Sequence, residues 1–174
     1  MSKAFTRESD NDSDEPLLTR PALPPGVKNY MTPRGAENFR EELKRLTEIE
    51  RPSLASQSQS VNSSAELRKL DQRIRLLEES LRTAEIVPAP ADRDRVRFGA
   101  IVQVRHATHA QSTFRIVGID EIDLDRHWIS WRSPLAQALL GRRVGERVRF
   151  QSPEGPDELS ILAIAYDEDK NERS

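Results

Sequence analysis

The apolar positions of this chain keep two different periods. Between residues 67 and 84 they fall at Leu67, Leu70, Ile74, Leu77, Leu81 and Ala84, in alternating steps of three and four. That spacing draws one stripe along a helix, and over about two and a half heptads it is the seam of a coiled coil. A helix with the same habit precedes it. Phe39, Leu43, Leu46 and Ile49 share one face, and Thr32-Pro33 supplies an N-cap and a proline at the first helical position. Glu41 ahead of Arg45 adds a supporting i, i+4 pair. Pro52 predicts a kink or an end to this helix. Ser63, with Glu66 three residues on, forms a capping box that predicts the start of the second helix. The two helices are joined by "SQSQSVNSSAEL" (56–67), which is uncharged until Glu66. Two single-striped helices with a short join predict an antiparallel coiled-coil hairpin over 32–85, with Phe39, Leu43, Leu46, Leu67, Leu70, Ile74, Leu77 and Leu81 as its seam.

From residue 95 to 167 the period drops to two. "VRFGAIVQVR", "STFRIVGIDEI", "HWISW", "ERVRFQSP" and "LSILAIAY" alternate as strands do. "SPLAQALLGRRVG" (133–145) interrupts them as a short helix, with Ser133 at the N-cap, Pro134 at N1 and Gly141 as its stop. The predicted order is β-β-β-α-β-β, an antiparallel sheet packed on one helix, and the fold class is α+β. "IVPAPA" opens a stiff linker at 86–94. Residues 1–31 form an acidic, Pro-rich tail, expected to be disordered up to about Val27, and 168–174 form a charged tail.

Composition narrows the function. The chain has 174 residues, 36% of them hydrophobic, which suits a small core with an exposed helical extension. Lys plus Arg is 27 against 29 Asp plus Glu, a net charge of −2, so a plain basic surface for duplex DNA is not indicated. The absence of Cys excludes disulfides and Cys-type zinc sites. His106, His109 and His127 are too few and too loosely spaced for a metal site and read as solvated loop residues. No apolar run reaches ~18 residues, and the N-terminus lacks the apolar stretch of a signal peptide. These features predict a soluble, intracellular protein with no membrane contact.

A helical hairpin followed by this sheet resembles the Gre family of bacterial transcript-cleavage factors, with its FKBP-like C-terminal domain. "VRFGAIVQV", "TFRIVGIDEID", "ISWRSPLAQALLGRRVGERV" and "SPEG" carry the resemblance in the C-terminal half. "YMTPRGAENFREELKRLTEIERP" and "LDQRIRLLEESLRTAEIV" carry it in the hairpin, and "ERP" with "FRIVGIDEI" favours the GreB branch. The resemblance covers about 30 to 167. It implies a cytoplasmic, monomeric protein, not itself an enzyme and without a cofactor. Such a protein binds RNA polymerase beside the secondary channel, its C-terminal domain docking on the rim and its hairpin reaching inward. In the family, two carboxylates in a tip motif like G-D-x-S-E-N-A-E help hold the polymerase's second Mg²⁺ and a water, and backtracked RNA is cut. Hard oxygen ligands and paired metals suit that step.

Against that motif this chain departs at the tip. Ser64 matches the motif Ser, but Asn62 stands where the Asp belongs and Ala65 where the Glu belongs. Glu66 is the nearest acid and a weak candidate, because one residue of offset on a helix turns it by about 100°. The hairpin is also about a dozen residues shorter than the family pattern, or ~6 per helix and roughly 9–10 Å of reach at 1.5 Å per residue. Both departures predict polymerase binding without stimulated cleavage, and no metal site. By resemblance the docking residues are Arg132, Ser133, Pro134, Leu135, Ala138 and Leu139, with Arg132 replacing a residue that is often acidic. The family's hairpin also lies near nascent RNA. Here its ten bases over 33–85 are matched by ten acids, which favours a salt-bridged, solvated face over an RNA contact. Three other readings stay open: a working GreB-type cleavage factor, a peptidyl-prolyl isomerase, and a structural coiled-coil module. The isomerase is disfavoured by an aromatic content of 5% and by Trp128 and Trp131, which three-residue spacing puts on opposite faces of a strand.

Overall fold

The computed structural model describes residues 23–56, 61–152 and 155–167. The N-terminal tail up to residue 22, part of the polar stretch at 57–60, and the charged tail at 168–174 lie outside the described residues. The fold is mixed α+β: a helical hairpin region carried by a curled sheet.

The first described element is a strand. β1 (Asn29–Met31) pairs in parallel with β2 (Ala84–Ile86), the segment that directly follows the second long helix. This differs from the sequence expectation, which assigned 29–31 to the tail and 86 to the linker. Three-residue strands are too short for a visible period, so their pairing is decided by the helices that bring them together.

α1 (Pro33–Arg45) starts as its sequence predicts. Thr32 is extended, and its Oγ1 accepts from the Gly35 amide. Pro52 does not end the helix. A π-helical turn over Leu46–Glu50 comes first, and α2 (Arg51–Ser56) continues through the proline. The Arg51 amide reaches back five residues to the Leu46 carbonyl. The wider turn absorbs the missing N–H and the ring of Pro52 without breaking the rod. It also changes the phase. Ile49, expected on the stripe, is 65% exposed, and Leu54 packs on the hairpin core in its stead.

α3 (Val61–Thr83) begins before Ser63, so Ser63 and Glu66 lie inside the helix rather than capping it. Ser63 is buried on the hairpin's inner face, one heptad before Leu70. The hairpin core is Leu46, Leu70, Ile74 and Leu77, with Phe39, Leu43 and Leu54 partly buried against it. Leu67 and Leu81 are half-buried and outside this cluster. Each fully buried aliphatic side chain contributes roughly 1.5–3 kcal/mol. Across the hairpin, Arg73 holds Glu42 with two bonds of 2.8 Å, its guanidinium lies 5.9 Å from the Phe39 ring centre, and Arg51 meets Asp71 at 2.7 Å.

The sheet has the order β5-β4-β3-β7-β6, built from β3 (Ile101–His106), β4 (Gln111–Val117), β5 (Trp128–Ser130), β6 (Arg147–Ser152) and β7 (Gly155–Ala165). Three pairings are antiparallel, but β5 runs parallel to β4, so the all-antiparallel expectation fails at this edge. The connection 118–127 turns the chain back so that Trp128 lies beside Arg115 and β5 runs along the last three residues of β4. The strand predicted to run to Ile122 stops at Val117, and Ile119–Glu121 is a 3₁₀ turn. α4 (Pro134–Leu139) packs Ala136 and Leu139 onto Val102, Val104, Ile116, Val148, Leu159 and Ile161. His106 is not a solvated loop residue. It ends β3, with Nδ1 3.1 Å from Asp157 and Nε2 2.9 Å from Ser112. Among the described residues no helix is long and apolar enough to cross a membrane.

Candidate functional site

The residues singled out by the sequence lie at the free end of the hairpin and at the start of α4, and a joint fixes one relative to the other. At the free end, the helical backbone of α3 already includes Asn62. Ala65 is half-buried and Glu66 is exposed. Among the described residues, no group of three or more His, Cys, Asp or Glu is placed to hold a metal ion. α3 has 23 residues, which makes it ~35 Å long.

At the start of α4, Ser133 is extended and its Oγ accepts from the Ala136 amide at 3.1 Å. The Ser133 amide donates to the Ser130 carbonyl, and Gln137 Nε2 reaches back to the Trp131 carbonyl at 2.7 Å. These bonds set a rigid corner that presents Arg132 and Pro134 to solvent. Leu135 and Ala138 are half-buried on the sheet core. Leu139, expected among the docking residues, is fully buried and belongs to the core. Of the six residues, Arg132 and Pro134 are exposed, Ser133, Leu135 and Ala138 are partly exposed, and Leu139 is not accessible from the surface.

The joint was not legible in the sequence. Glu121, 6% exposed, receives the Thr32 amide at 2.9 Å and the Gly118 amide at 3.0 Å on Oε2, while the Thr32 hydroxyl donates to Oε1. Burial pushes the Glu121 carboxyl above the usual carboxylate range, opposed by these bonds and by the charge of Arg115. Its position at the first turn of α1 also suits the positive end of a helix dipole. Two glycines make room for it. A Cβ on Gly35 would lie 1.8 Å from Glu121 Oε1, and one on Gly118 would lie 1.9 Å from the Tyr30 carbonyl oxygen.

Asn29 Nδ2 bonds the Ser80 carbonyl, Thr83 Oγ1 and Asp120 Oδ2 within 3.3 Å, tying the end of α3 to the same 3₁₀ turn. Beside it, Tyr30 packs edge-on against Trp131 at 5.4 Å and near Phe98 at 5.9 Å. Arg115, buried under Trp128 at 4.9 Å, pairs with Asp167, which Arg34 of α1 also approaches at 3.5 Å. Trp131 thus links β1 directly to the corner that carries Arg132 and Ser133. The one local signal is Gly118 three residues before Glu121, which marks a tight turn but does not point to Thr32.

Known proteins resemble this chain over most of its length. The family model described as "Transcription elongation factor, GreA/GreB, C-term" matches residues 90–166. The transcription elongation factor GreB of Neisseria meningitidis serogroup A is 37% identical over 158 residues, covering 80% of this chain and 95% of that protein. GreB of Yersinia pestis is 36% identical over 159 residues, covering 82% and 93%. Among solved structures, the GreA factor homolog Gfh1 of Thermus thermophilus aligns over 80% of this chain and 99% of that one, at 24% identity and a TM-score of 0.39. At the level of identity and coverage reached by the GreB relatives, the chain belongs to the GreA/GreB family of transcription elongation factors.

Proposed function

We propose that this protein binds bacterial RNA polymerase at the rim of the secondary channel and regulates elongation without stimulating transcript cleavage. The observation that carries the reading is the tip. Asn62 and Ala65 stand at the positions of the two family acids, and neither can replace a carboxylate on Mg²⁺. Glu66 is exposed near them but is a single acid on a different helical phase. The short hairpin adds to this, because a metal ligand set back by ångströms loses its geometry.

In this reading the sheet domain is the FKBP-like docking unit, and the corner at Arg132, Ser133 and Pro134 meets the rim. The protein works as a monomer in the cytoplasm and contributes no cofactor or catalytic group of its own. The interhelical pairs Arg73–Glu42 and Arg51–Asp71 spend hairpin bases on hairpin acids, which leaves nascent RNA a minor contact there. The decisive experiment combines co-purification with core RNA polymerase and a cleavage assay on backtracked complexes. Binding, competition with an active GreB and no shortened transcripts are expected. Failure to bind or compete overturns the reading. Transcripts shortened faster than in buffer would instead make Glu66 a working ligand and the protein a GreB-type cleavage factor.

A further inference from the structure

The strand order segregates charge across the sheet. The connection before β5 carries Asp120, Glu121, Asp123 and Asp125 against Arg126 alone, and β5 is one edge of the sheet. The opposite edge is β6. There the run 142–149 carries Arg142, Arg143, Arg147 and Arg149 against Glu146 alone. A cleft of about 540 Å³ opens at this edge, between α4 and β6, lined by Ala138, Arg142, Arg147, Val148, Arg149 and Glu158.

The arginines of the cleft are only lightly engaged. The side chains of Arg149 and Arg147 are 85% and 74% exposed. They share one carboxylate, Glu158, at 2.8 and 3.6 Å, and Arg142 reaches Glu146 at 3.9 Å. Surface pairs of this kind exchange readily for another anion. A guanidinium presents a planar fork that matches phosphate oxygens, and all the cleft's bases are arginine.

We propose that the β6 edge is a binding site for the phosphodiester backbone of single-stranded nucleic acid. A stiff duplex is too wide for a cleft of this size, whereas a flexible single strand can follow the sheet edge. No aromatic side chain lines the cleft, so bases find no stacking surface and the site reads backbone rather than sequence. The cleft borders the docking corner at Ala138, but its arginines are not docking residues and the test uses no polymerase, so the proposal stands or falls independently of the function proposed above.

The test is fluorescence anisotropy of the full chain with labelled single strands of ~12 nucleotides, as RNA and as DNA, in two unrelated sequences. With about three arginines engaged, log affinity should fall against log salt with a slope near −2, at roughly 0.7 per phosphate for a single strand. Arg147→Ala/Arg149→Ala should weaken binding about tenfold or more at low salt, equally for all sequences, and flatten the slope by ~1.4. Because both side chains are exposed, the variant should keep the wild-type melting temperature. A single substitution, Arg149→Lys, should keep the charge yet lose part of the affinity. Unchanged affinity and slope in the double variant, no binding at low salt, clear sequence dependence, or tighter binding to a duplex would each overturn the proposal.

Discussion

Thr32 gives both its amide and its hydroxyl hydrogen to the Glu121 carboxylate, across 89 residues of chain. The same Thr32 caps α1, so the helix that builds the hairpin starts on a carboxylate supplied by the sheet domain. With Asn29 holding Asp120 and the end of α3, both hairpin helices are fixed at their base to one 3₁₀ turn. The proposed function, docking by the sheet domain and reaching inward with the hairpin, requires that angle to be held.

Glu121→Ala leaves the Thr32 amide, the Thr32 hydroxyl and the Gly118 amide without their acceptor. The expected loss is roughly 2–5 kcal/mol: each buried group left unpaired costs about 1–3 kcal/mol, and removing the buried carboxyl offsets part of the sum. Thr32→Ala, which removes the cap and one bond, should cost about 1–2 kcal/mol. Urea unfolding of the two variants checks both the sizes and their order.

Burial holds the Glu121 carboxyl above its ordinary range, so the folded protein binds this proton more tightly than the unfolded chain. The stabilising contribution is complete below the unfolded value of about 4.3 and is lost as pH rises through the raised folded value. Glu121→Gln abolishes that titration. Melting temperatures of both proteins between pH ~4 and ~8 should show the wild type gaining on the variant toward the acid end. A difference that stays constant with pH would refute the assignment.

Gly118→Ala tests the close approach of β1. The backbone of Gly118 has φ −67°, which any residue adopts, so the obstacles are steric: the Tyr30 carbonyl first, and Glu121 Oε2 at 2.9 Å behind it. The expected cost is at the upper end of about 1–3 kcal/mol. Gly35→Ala presses on the end of the Glu121 side chain instead, which shifts more easily than backbone although it strains the bonds to Thr32, and should cost less. Thermal unfolding ranks the pair.

The π-helical turn predicts which aliphatic residues matter. Ile49→Ala should be neutral within about 0.5 kcal/mol, because the side chain is already in water. Leu77→Ala, in the hairpin core, should cost about 2–5 kcal/mol. Equal losses at the two positions in chemical denaturation would show that the turn does not persist in solution.

Restoring the acids should not restore cleavage. Asn62→Asp/Ala65→Glu supplies the family's carboxylates but not the missing reach. Transcript cleavage by backtracked polymerase should therefore stay at the buffer rate while binding to the polymerase is retained. Shortened transcripts with this variant would show that reach is sufficient and that the two side chains alone decide activity.

The sequence by itself determined the elements whose reasons are local. The N-cap at Thr32, the seam through Leu70, Ile74 and Leu77, the alternating strands and the short helix after Ser133 follow from periods and caps that neighbouring residues complete. It also carried the family resemblance. Tertiary structure decided what depends on partners distant in the chain. Pro52 was legible, but whether it ended or shifted the helix depended on α3 holding α2 in place. Ser63 looked like a cap because a capping box is read from four residues, whereas burial against the first helix put it inside α3. The parallel β5, the strand pair β1–β2 and the grip of Glu121 on Thr32 are contacts between segments tens of residues apart. No local period encodes them; they form because the hairpin and the sheet bury their shared base together.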